Sequence, residues 1–174
     1  MSRNVLFISR NDIIKRAPIG GNVDPEKLVP FIKTAQDKYI WILLGSVLYF
    51  YLQDEIVAGT MAPPYTELME IYIKDCLVHY STVEALPFLA YTIGNAGIFK
   101  NLNAEQAASP DKRDVDFLLQ KELQTAQFYG ERLVTHLIAN SNLYPQYNAT
   151  TGKSDNVYPD MGQQYTQGLS LIHI

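Results

Sequence analysis

Apolar positions between residues 22 and 52 fall into two helical stripes separated by a single glycine. Leu28, Phe31, Ile32, Ala35, Tyr39, Ile42 and Leu43 recur at helical steps and predict one apolar face. Asp24, Pro25 and Glu26 precede them. A capping carboxylate, a residue with no N–H and an acid in the first turn all suit the unpaired amides and partial positive charge found there. Pro30 either kinks the first turn or marks the real helix start, because it has no N–H for the carbonyl of Glu26. Burying Phe31, Ile32, Ile42 and Leu43 is worth about 6–12 kcal/mol before entropy. That is comparable to the net stability of a whole domain, so this face must meet a partner. Gly45 and Ser46 read as a C-cap followed by an N-cap, and a second helix over about 47–57 stops at Gly59 and Pro63-Pro64.

The rest of the chain continues in helices. Ser9 and Asp12 form a capping pair for a short helix over 11–16, ended by Pro18 and Gly20-Gly21. A third helix spans 66–90, with Leu68, Met69, Ile71, Tyr72, Ile73, Cys76, Leu77, Val78, Tyr80 and Val83 pointing nearly all round it. Such a helix is buried on nearly every side and is therefore the central one; Pro87 bends or stops it. Residues 92–99 read as a small hairpin or loop with glycines at Gly94 and Gly97. Ser109 and Pro110 open a last helix whose first turns hold Asp111, Asp114 and Asp116. Phe117, Leu118, Gln124, Phe128, Leu133, Leu137 and Ile138 supply its stripe, and running to about Asn142 it would be about 50 Å long. Tyr144-Pro145-Gln146-Tyr147 ends it. The expected fold is all-α: a small helical bundle of about four to five helices, a short hairpin or loop before the last long helix, and an extended C-terminal tail. In domain terms, 1–147 is the helical unit and 148–168, rich in polar residues, glycine and proline, is the tail. The last six residues, 169–174, read LSLIHI, which CTG TCT CTT ATA CAC ATC encodes. They resemble a transposase-end tag of sequencing libraries and are expected to be a remnant on an environmental sequence, with the true C-terminus beyond Gly168 and no meaning for His173.

Composition narrows the class. Hydrophobic residues make up 47% and charged residues only 18%, so part of the apolar surplus is expected at contacts between subunits. Twelve tyrosines against one tryptophan fit such contacts or a tyrosine-rich core boundary. A net charge of -4 argues against a dedicated nucleic-acid binder, though not against a protein that surrounds DNA without gripping it. The single cysteine, Cys76, excludes an intrachain disulfide and fits a reducing compartment. The apolar run Val5 to Ile8 is too short for a signal sequence, and Tyr39 to Leu44 too short for a membrane span, so a soluble protein made in the cytoplasm is expected.

Candidate chemistry is sparse. His79 lies four residues after Asp75 on one helical face, but no third metal ligand is evident, and a structural histidine satisfied by Asp75 is the favoured reading. His136 has no glutamate three residues before it, so the di-iron bundle pattern fails. Cys76 lacks a flanking cation and reads as a buried thiol. Ser81 and Ser109 stand in no nucleophile elbow, Gly94-x-x-Gly97 is a turn, and Lys112-Arg113 is a solvated pair. No catalytic, cofactor or metal residue is expected.

The pattern Asp24…Leu28-x-Pro30-x-Ile32-x-x-Ala35-Gln36-x-x-Tyr39-Ile40…Leu44-Gly45-x-x-Leu48-Tyr49-x-x-Leu52 resembles the small all-helical head–tail adaptor proteins of tailed phages. The likeness is greatest to those of crAss-like and related phages of gut Bacteroidetes. It covers roughly residues 5–150, including the Gly97-Ile98 turn and the Tyr144–Tyr147 stop, through loosely specific apolar motifs. The resemblance implies a non-enzymatic virion protein at the head–tail junction: a homo-oligomeric ring, dodecameric in the family, that binds the portal protein and extends the DNA exit channel. Tail or other connector proteins, and passing DNA touched only passively, would be its further partners, with no membrane. Thr92, Ile93, Asn95, Gly97, Ile98, Phe99, Tyr144, Pro145, Tyr147 and Tyr158 are the candidate contacts to portal and neighbours. Another virion ring or tail-completion protein would share these features, and a small helical metal-binding protein or enzyme is the rival from a different class.

Overall fold

The computed structural model describes residues 5–17, 23–94, 97–100, 112–148 and 157–159. The short helix α1 (Arg10–Arg16) is capped as expected: the Asp12 carboxylate accepts from the Ser9 N–H and the Ser9 hydroxyl, both at 2.8 Å. Asp24 accepts from the Glu26 N–H at 3.1 Å and opens a 3₁₀ turn, Pro25–Leu28, which runs into α2 (Val29–Ala35). Pro30 therefore stands in the first turn of the α-helix, where its missing N–H is harmless. A π turn, Gln36–Ile40, follows, and then α3 (Trp41–Ala58).

The π turn corrects the expected face. It inserts an extra residue into the helical winding and rotates all that follows. Leu28, Ile32 and Ala35 are buried before it, Ile40 at its end and Leu43 and Leu44 after it, while Ile42 turns outward at 39% exposed. Inside α3, Gly45 is non-helical (φ 71°, ψ 161°), so the predicted glycine break is real and divides the run into two rods. Taken as one run, Glu26–Ala58 is long and apolar enough to cross a membrane (33 residues, mean hydropathy 1.4), yet half of its apolar window lies buried in the fold.

Helix α4 (Pro63–Glu67) starts three residues earlier than position 66, since proline is well suited to the first turn; the Ala62 carbonyl accepts from Tyr65 and Thr66 at 3.0 Å. A second π turn, Leu68–Ile73, joins it to α5 (Lys74–Ala90), which passes through Pro87 without stopping. This rod is the central one: α5 packs against α6, α2 and α1. Strands β1 (Tyr91–Gly94) and β2 (Gly97–Lys100) form an antiparallel hairpin, pairing Tyr91 with Lys100 and Gly94 with Gly97. The last helix, α6 (Lys112–Ala139), has 28 residues and gives way to turns at 140–143. At 1.5 Å per residue these 28 residues span about 42 Å, and the helix ends at Ala139 rather than at about Asn142. The fold is thus an all-α bundle of five rods among the described residues, with one hairpin before the last helix. Ser109, Pro110 and Asp111 lie outside the described residues. So do 149–156 and 160–168 of the tail, and 169–174.

The stripe expected on α6 is mis-phased. Its buried side is Val115, Glu122, Ala126, Gly130, Leu133, Val134 and Leu137, whereas Phe117, Leu118, Gln124, Phe128 and Ile138 are exposed. Small residues allow close approach: a Cβ on Gly130 would lie 3.5 Å from the Tyr80 hydroxyl and 3.6 Å from Leu43. The N-terminal segment is bound by two buried glutamines. Gln36 accepts from the Phe7 N–H and donates to the Val5 carbonyl, both at 2.8 Å, and Gln53 donates to the same carbonyl at 3.2 Å.

Candidate functional site

The expected interface residues divide into three groups. Thr92, Ile93, Gly97, Ile98 and Phe99 lie on the hairpin strands, and Asn95 falls outside the described residues. Pro145 and Tyr158 are exposed. Tyr144 and Tyr147 are each 1% exposed, so they belong to the core of the chain and do not offer the surface contacts expected of them. The chain folds back after α6 because both rings have an apolar body to bury and the Tyr144 hydroxyl finds partners. The Tyr144 hydroxyl donates to the Pro64 carbonyl at 3.1 Å and lies 3.0 Å from His136 Nε2. Beside it, the Tyr65 hydroxyl donates to Gln146 Oε1 at 2.5 Å.

His136, which stands in no ligand pattern in the sequence, organises this corner. It stacks on Tyr72 with ring centres 4.0 Å apart, and its Nδ1 lies 3.3 Å from Asn140 Nδ2. Asn140 Nδ2 also donates to the His136 carbonyl at 2.9 Å. Since Tyr144 gives its proton to Pro64, the consistent arrangement is a neutral imidazole with its proton on Nε2. Burial holds the imidazole below its ordinary pKa, which suits that form; the Arg132 guanidinium acts in the same direction and Glu67 against it. Arg132 itself lies over the Tyr72 ring, 4.9 Å from its centre. Tyr72, Phe128, Glu131, Arg132, Thr135 and His136 line a shallow groove there.

His79 is structural, but through a different partner from the one expected. Its Nδ1 lies 2.6 Å from Glu122 Oε1 on α6, and its ring lies nearly parallel to Tyr129 at 4.9 Å. Asp75 turns instead to Arg16, 2.5 Å away. Cys76 is fully buried, and burial pushes its thiol far above the ordinary value. The Ser81 hydroxyl donates to the Leu77 carbonyl at 2.6 Å, as a core helix serine does. Among the described residues, no three of His, Cys, Asp and Glu come together to hold a metal.

Two surface features stand out. On α6, Phe117 and Phe128 are each 59% exposed and lie eleven residues apart, close to three turns, so they share one line of the helix. Ile71, also exposed, borders a second shallow groove with Met61, Pro63, Thr66, Glu67 and Glu70. The other feature is the Gly45 break, where Val157 and Pro159 of the tail come to rest. The Ser46 N–H donates to the Val157 carbonyl at 2.9 Å, and the Val157 N–H donates to Ser46 Oγ at 3.2 Å.

Residues 42–157 match the model of a family described as a family of unknown function, DUF6712. No curated protein and no solved structure matches the chain.

Proposed function

Because the chain belongs to the family of unknown function DUF6712, which brings no activity with it, we propose its role from its fold and surface. It is the ring-forming subunit of a phage head–tail connector, assembled in the bacterial cytoplasm and carried at the portal vertex of the virion. One observation carries the reading: a tightly packed bundle leaves Phe117 and Phe128 in line on the outer side of its last helix, each more than half exposed. A closing ring needs two different faces on each subunit, one to give and one to receive. The α6 line and the groove bordered by Met61, Pro63 and Ile71 lie on different elements and supply two apolar faces. Net charge of -4 suits a channel through which DNA slides without being held. The role involves no catalytic step, cofactor or metal.

The test is reconstitution with a portal protein of a crAss-like or related tailed phage. A ring of this chain stacked on the portal ring in electron micrographs is the expected result. Protein that never joins the portal at any salt concentration would exclude the role. Another virion ring or tail-completion protein would use the same two faces, and joining an isolated tail ring instead of the portal would favour it.

A further inference from the structure

From the contact at the Gly45 break we infer a peptide-docking site: Gly45 and Ser46 form an acceptor for an extended Val-x-Pro segment, and residues 157–159 are its exchangeable ligand. The inference stands independently of the ring reading, since it rests on one local contact.

Three features build the site. Gly45 has φ 71°, a conformation that L side chains rarely adopt, and its missing side chain is the space the tail uses. A Cβ there would lie 2.6 Å from Pro159 Cδ and 2.9 Å from Pro159 N, so any other residue evicts the tail. Ser46, itself buried, pairs with both backbone groups of Val157, giving its N–H and receiving at Oγ. This two-way pairing is what one residue of a strand offers its neighbour, with a serine hydroxyl replacing one carbonyl. The tail has the matching period of two: Val157 and Pro159 are half-buried and Tyr158 between them is exposed.

None of these contacts involves the chain connecting Asn148 to Val157, so an identical segment from a second copy makes the same set. Exchange of identical elements between copies is a low-cost route to association. Both halves of the contact, Gly45–Ser46 and Val157, fall within the region matched to the family.

The chain contains its own reporter. Its one tryptophan, Trp41, donates from Nε1 to the same Ser46 Oγ at 3.0 Å. The full chain carrying Val157→Pro and Pro159→Asp loses the N–H donor and the ring that fills the break. The Trp41 emission maximum should then shift. A synthetic peptide of residues 154–162 should restore it saturably. The same peptide with Val157→Pro should bind at least about tenfold more weakly. Adding Gly45→Ala to the full-chain variant should abolish restoration, whereas adding Gly59→Ala should leave it intact. Emission unchanged by the tail substitutions, or changed but not restored at millimolar peptide, would overturn the inference.

Discussion

His79 Nδ1 and Glu122 Oε1 lie 2.6 Å apart at the contact between α5 and α6, with both side chains almost wholly removed from solvent. The pair joins the central helix to the last one at a point where neither group has ready access to water. Replacing Glu122 by Ala should cost about 2–3 kcal/mol in urea unfolding, because a hydrogen bond to a charged group is lost and a buried ring nitrogen is left without its partner. Glu122→Gln keeps an acceptor in place and should cost about 1 kcal/mol. Equal costs for the two would show that the contact only fills space.

The Tyr144 corner sets an acid dependence. His136 is held below its ordinary value of 6.5 by burial, so the unfolded chain takes up a proton that the folded chain resists. Stability is complete above about pH 6.5 and falls as the pH drops from there to the depressed folded value, the direction linkage requires when the unfolded state binds more protons. His136→Phe should flatten that slope in thermal melts taken between pH 7 and 5. Tyr144→Phe removes the hydroxyl between His136 Nε2 and the Pro64 carbonyl and should cost about 1–3 kcal/mol at pH 7.

Gly45 and Gly59 both have positive φ, at 71° and 67°, but their surroundings differ. Nothing lies within 4 Å of a Cβ built on Gly59, so Gly59→Ala should cost only backbone strain, about 1–2 kcal/mol. Gly45→Ala adds the clash with Pro159 and should cost measurably more in the same unfolding assay. Equal costs would mean that the tail leaves its seat without consequence.

Gln36 fastens the N-terminal segment through the Phe7 N–H and the Val5 carbonyl. Gln36→Leu fits the space poorly, leaves the Phe7 N–H without its buried acceptor and leaves the Val5 carbonyl only the longer bond from Gln53. Stability should drop by about 2–4 kcal/mol. Hydrogen exchange at the Phe7 amide should accelerate well before global unfolding.

Much of the bundle was readable from local chemistry. Asp24-Pro25, Ser9 with Asp12, the Gly45 break and the Gly94–Gly97 hairpin depend on the backbone preferences of a few adjacent residues, and the structure has each of them where expected. What failed was phase. A π turn such as Gln36–Ile40 has no composition of its own, so Ile42 was expected inside and Ile40 and Leu44 carried the burial instead. On α6 the buried side is marked by Ala126, Gly130 and Glu122, which carry no apolar signal, while Phe117 and Phe128 imitate one on the outside. Partners distant in sequence were equally hidden: Asp75 is four residues from His79, but Glu122 is the residue that meets it. Tyr144 and Tyr147 looked like surface aromatics because nothing nearby announces that the chain turns back onto Pro64 and Tyr65.

The exposed line on α6 is the part of the molecule on which the proposed role depends. Phe117→Ser with Phe128→Ser should leave monomer stability within about 0.5 kcal/mol, since neither ring is part of the core. Native mass spectrometry of the full chain mixed with a portal protein of a crAss-like or related tailed phage, for the wild type and for this double variant, is the most direct measurement. A closed multiple of the 19.7 kDa subunit on the portal, present for the wild type and absent for the variant, is the expected result. A wild-type chain that stays at the mass of one subunit, or a variant that assembles as well as the wild type, would contradict it.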